Sequence, residues 1–93
     1  MSVVIIGGND CMVRRYKDLC KSCNCKAKVF TQPAADLKNK IGRPDLLVLF
    51  TGTVSHKMVN AALKEVEKSN TTIVRSHSAG VSALEKILEE YAV

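Results

Sequence analysis

Five consecutive apolar residues, Leu46 to Phe50, stand between Pro44-Asp45 and Thr51-Gly52-Thr53, and they constrain the fold more than any other segment. A run this short and this apolar fits a strand covered on both faces, because a helix needs about ten residues or more. Such a strand demands a layer above and a layer below. Val3 to Ile6, stopped by Gly7-Gly8, is a second run of the same kind. Ala27 to Thr31, where Lys28 alternates with Val29, fits an edge strand closed by Pro33, and Thr72 to Val74 supplies a fourth strand.

Helical periodicity fills the intervals between strands. Asn9 or Asp10 is placed to cap a helix carrying Met12, Val13, Tyr16, Leu19, Cys20 and Cys23 on one side, with Asn24 as a left-handed stop. Between Pro33 and Gly42 only Leu37 and Ile41 share a face, which predicts one short helix. Thr53 or Ser55 caps a third helix bearing Met58, Val59, Ala62, Leu63 and Val66, with Lys64, Glu65, Glu67 and Lys68 on its solvated face. A last helix carries Val81, Leu84, Ile87, Leu88 and Tyr91, with Ser82 and Glu85 spaced as a capping box.

Strands alternating with helices pair in parallel through right-handed crossovers. The expected fold class is α/β, a three-layer sandwich around a four-stranded parallel sheet in the order 2-1-3-4, flavodoxin-like or half-Rossmann. Ninety-three residues make one domain, 1–93, with a modest core. A sheet this small leaves exposed edges, and a homodimer is the expectation.

No apolar run approaches the ~20 residues that cross a bilayer, and the first strand is too early and too short for a signal peptide, so a cytoplasmic protein without membrane contact is expected. In that setting the four cysteines, Cys11, Cys20, Cys23 and Cys25, are expected as reduced thiols. A net charge of +5 favours an anionic small molecule or cofactor as partner. Nucleic acid is disfavoured, because no basic stripe is interleaved with aromatics.

Open parallel sheets bind ligands beyond the carboxyl ends of their strands, where strand order reverses. Here three loops meet there: Gly7-Gly8-Asn9-Asp10, the stretch from Thr51 through Thr53 and Ser55 to His56, and Ser76-His77-Ser78. Gly7 and Gly8 either let backbone approach an anion at a helix N-terminus or simply make the turn. The full dinucleotide pattern of glycines is absent. His56 lies in the first turn of its helix, where the dipole favours a ring able to ligate a metal or accept a proton, and His77 occupies the matching place one loop further on. Ser55 and Ser78 fit caps better than nucleophiles, since no nucleophile elbow surrounds them.

Cys11 opens the first helix, a location that favours a thiolate ligand or nucleophile, with core packing as the competing reading. Cys20, Cys23 and Cys25 invite a metal centre, yet Cys11 as fourth ligand would lie roughly 13 Å away along the helix axis. A structural, unliganded role fits these three better. Arg14, Arg15 and Tyr16 either reach back to carboxylates or phosphates at the glycine loop, or present a solvated face with Tyr16 turned inward.

The strand-Gly-Gly opening, the Arg-Tyr pair, the stretch Thr51 to His56 with its Val-Ser-His, and the Arg-Ser-His-Ser turn together resemble a family of short bacterial α/β proteins, the domain of unknown function 2325 family. The resemblance spans nearly the whole chain and implies the fold, a bacterial origin and the cytoplasm, but no activity. From the residues, the leading functional expectation is a non-catalytic sensor or ligand-binding domain holding haem or a metal-containing ligand, at a dimer interface, with His56, Cys11 or His77 as metal ligand and arginine against the propionates. The alternative is a nucleotide or phosphorylated-metabolite module. An enzyme, using Cys11 for redox chemistry or His56 with a serine for hydrolysis, ranks third because no motif places a general base.

Overall fold

A computed structural model describes residues 1–32, 37–67 and 69–91, apart from the side chain of Lys38. Its elements follow in the order β1 (Ser2–Ile6), a 3-10 turn (Asp10–Met12), α1 (Val13–Ser22), β2 (Lys26–Phe30), α2 (Leu37–Ile41), β3 (Leu46–Phe50), α3 (His56–Val66), β4 (Thr72–Ser76) and α4 (Val81–Tyr91). The expected roles of Pro33 in closing β2 and of Lys68 on the face of α3 fall outside the described residues.

All three strand pairings are parallel and the sheet order is β2-β1-β3-β4, as the alternation predicts. Successive side chains on a strand point to opposite faces, which divides the core in two. Val3, Ile5, Leu46, Val48 and Phe50 pack on Tyr16 and Cys20 of α1 and on Leu84, Ile87 and Leu88 of α4. Val4, Ile6, Leu47 and Leu49 pack on Leu37 and Ile41 of α2 and on Met58, Val59, Ala62 and Val66 of α3. The two side chains of α2 that share a face in sequence are the ones that anchor it.

Several local expectations are refined. The first helix does not start at Asn9: that side chain accepts a bond from the Cys11 amide at 3.0 Å and caps a 3-10 turn, and α1 begins only at Val13. Ser55, rather than Thr53, caps α3. Ser82 lies inside α4, so it forms no capping box with Glu85; instead the Leu84 amide reaches the Gly80 carbonyl at 3.2 Å. β4 runs on to Ser76 because Arg75 and Ser76 keep register with Leu49 and Phe50, although an outer strand leaves Arg75 exposed and Ser76 only half-buried. Asn24 is left-handed at φ 59°, as a helix stop should be. Among the described residues no helix is long and apolar enough to cross a membrane.

Candidate functional site

Because β1, β3 and β4 are parallel, their following loops emerge at one end of the sheet and form a common rim. Side-chain and backbone bonds stitch that rim together. The Thr53 hydroxyl accepts from the Gly8 amide at 2.8 Å and donates to the Phe50 carbonyl at 3.1 Å, joining the loops after β1 and β3. The Thr51 amide donates to the Ser76 carbonyl at 2.8 Å, joining the loops after β3 and β4. Gly52 carries the His77 ring so closely that an added Cβ would lie 3.0 Å from its Cε1. The Ser76 hydroxyl donates to the Ser78 carbonyl at 2.9 Å, and Ser78 Oγ accepts from Gly80 at 3.4 Å.

The glycine pair has a packing reason. Gly7 and Gly8 have φ of 103° and 93°, where L side chains are strained. A Cβ on Gly7 would sit 2.9 Å from the Phe50 carbonyl oxygen, and one on Gly8 would sit 2.7 Å from the Tyr16 ring. Their amides are already engaged: Gly7 donates to Phe30 at 2.8 Å and Gly8 to Thr53. Cys11 and Met12 donate to Asn9. The Asp10 carboxylate, bonded by the Thr31 hydroxyl and by Gln32 Nε2, puts a negative charge on the same loop. An anion there meets few free donors and a carboxylate, which weakens the phosphate reading.

Tyr16 does not contact the rim from outside. It is fully buried, its ring lies 5.5 Å from that of Phe50, and its hydroxyl donates to the Ala79 carbonyl at 2.5 Å. It supports Gly8 from beneath and holds α1 to the segment before α4. Arg14 and Arg15, two and one positions earlier, are exposed at the same end.

His56, His77 and Cys11 are each exposed. Among the described residues no three His, Cys, Asp or Glu side chains lie close enough to share a metal ion, so these three are not gathered into one ligand set. The Ser55 hydroxyl accepts from the Met58 amide at 3.3 Å, the geometry of a cap. All four cysteines are free thiols. Burial, followed by the neighbouring Cys25 and Cys23, pushes the Cys20 thiol up to about 11, which keeps it protonated and unreactive at neutral pH. Cys20 and Cys25 belong to the core beside Tyr16, with Cys23 packed against it, as a structural role requires.

Sequence reasoning missed Thr31, Gln32 and Ala79. The first two follow β2 at the same end of the sheet, so topology alone would have placed them near the rim. The Ala79 carbonyl has no side-chain signature to find.

These features define a small doubly wound α/β protein with a bonded loop rim at its topological reversal. Residues 2–91 match the family described as uncharacterized protein conserved in bacteria (DUF2325), and the chain belongs to that family. No curated protein and no solved structure matches it.

Proposed function

We propose that the chain is a non-catalytic binding module that holds haem, or another ligand bringing its own metal, on the C-terminal rim of the sheet. His56 would be the leading donor to the iron, with His77 and Cys11 as the other rim donors, and Arg14 or Arg15 would pair with the propionates. The observation that supports this is the way donors are distributed: exposed and single, with no group of three among the described residues. A bare zinc-like ion needs three or four protein ligands, whereas haem iron takes its equatorial ligands from the macrocycle and asks the protein for one or two axial donors. Engagement of the Gly7 and Gly8 amides and the presence of Asp10 favour this over a phosphate ligand. The Ser55 hydroxyl is occupied as a cap, which favours binding over hydrolysis.

Titration of the purified protein with haem tests the reading. A shifted, saturable Soret band that is lost in His56→Ala or His77→Ala is expected. A Soret band identical to that of free haem at every ratio overturns the proposal, and thermal stabilisation by a nucleotide in the same protein would replace it with the phosphate reading.

A further inference from the structure

The two outer strands differ in how they can meet a neighbour. The Thr72 amide donates to Asp45 and the Thr51 amide to Ser76, so Thr72, Val74 and Ser76 turn their backbone groups to β3. By alternation, Ile73 and Arg75 turn theirs outward. On β2 the bonds from Lys26 to Met1 and from Gly7 to Phe30 leave Ala27 and Val29 outward. Alongside β4 runs a groove of ≈ 950 Å³ lined by Leu63, Lys64 and Val66 of α3, by Glu67 just after it and by Ile73. Ile73 is 41% exposed and, with Met1 and Tyr91, is one of the exposed large apolar side chains among the described residues.

We propose that β4 is the seam of a homodimer, in which two copies pair antiparallel with Val74 on the dyad and form one continuous sheet. In this register the outward groups of Ile73 meet those of Arg75 of the partner subunit, so both outward residues of each strand gain ladder bonds. Each Ile73 then lies directly opposite Arg75 of the partner subunit on one face, where an arginine stem covers apolar surface and no like charges oppose. The same operation on β2 sets Lys28 against Lys28 of the partner subunit, a like-charge pair at the closest cross-strand spacing. Charge therefore selects β4 and guards β2, and the assembly closes at two chains. Antiparallel pairing turns the two C-terminal rims to opposite ends, so each chain keeps its own ligand rim and the haem titration and the dimer stand or fall separately.

Sedimentation equilibrium of the full chain, from low micromolar to near-millimolar protein, reads the outcome, with far-ultraviolet circular dichroism to show that each variant folds. The wild type is expected as a dimer. Ile73→Lys, which opposes two pairs of like charges by symmetry, weakens the dimer about tenfold or more. Ile73→Glu, which replaces the same apolar side chain but faces arginine, stays dimeric at low salt. A monomeric wild type overturns the proposal, as does a dimer that withstands Ile73→Lys. A folded Ile73→Glu that is monomeric at low salt overturns the register, since loss of the apolar side chain alone would then account for both variants.

Discussion

β3 and β4 are hydrogen-bonded neighbours in five registered pairs, yet every residue of β3 is buried and none of β4 is. Backbone pairing is the same kind in both, so pairing alone does not set burial. Position does: β3 is covered by α1 and α4 on one face and by α2 and α3 on the other, while β4 stands at the border of those layers. A strand in the middle must be apolar throughout. One at the border is free to carry Thr72, Arg75 and Ser76, and this freedom makes it available to a second chain.

The contrast can be broken most forcefully at Phe50. Phe50→Ala empties the place against Tyr16 and should cost about 3–5 kcal/mol, seen as a large fall in the denaturant midpoint at unchanged slope. Gly8→Val should follow, at about 2–3 kcal/mol, because a β-branched side chain both resists φ of 93° and meets the Tyr16 ring. Tyr16→Phe keeps the ring and removes only the bond to Ala79, for about 1 kcal/mol. Measured in the dilute monomer, Ile73→Ala on β4 should be smaller still, below about 1 kcal/mol. Equal losses for Phe50→Ala and Ile73→Ala would refute the division into covered and border strands.

Titration sharpens the same picture within the core. The Cys20 thiol rises from 9.0 to about 11 in the folded chain, so as pH climbs the unfolded chain loses this proton before the folded one does. The folded state binds that proton more tightly; stability is full below pH 9 and declines from about 9 through 11. Cys20→Ala should flatten that part of the stability profile. At pH 7.5 a maleimide reagent should label exposed Cys11 well before Cys20.

How much of this was legible beforehand depends on what each residue had to announce itself with. Leu46 to Phe50 declared a covered strand because nothing else of that length and polarity survives in water. Leu37 and Ile41 declared the short helix by spacing alone. Arg75 and Ser76 concealed the end of β4, since a border strand needs no apolar signature. At the rim, topology placed the Gly7-Gly8 turn, Thr51, Thr53 and His77 together, but not what joins them. That Gly8 must lack a Cβ because of a tyrosine eight positions later depends on how α1 folds back under the loop. Tyr16 itself was undecided between ligand contact and core, because helical spacing gives the direction of a side chain relative to its helix and not what lies in that direction.

The seat of Tyr16 has an optical consequence. The chain has no tryptophan and only two tyrosines, and Tyr91 is partly open to solvent at 39%. The near-ultraviolet dichroism of the native protein should then come chiefly from one phenol, locked beneath Gly8 and tethered to Ala79. Whatever loosens those loops will dim that single band before the helices lose theirs, giving the protein a label-free gauge of its own rim.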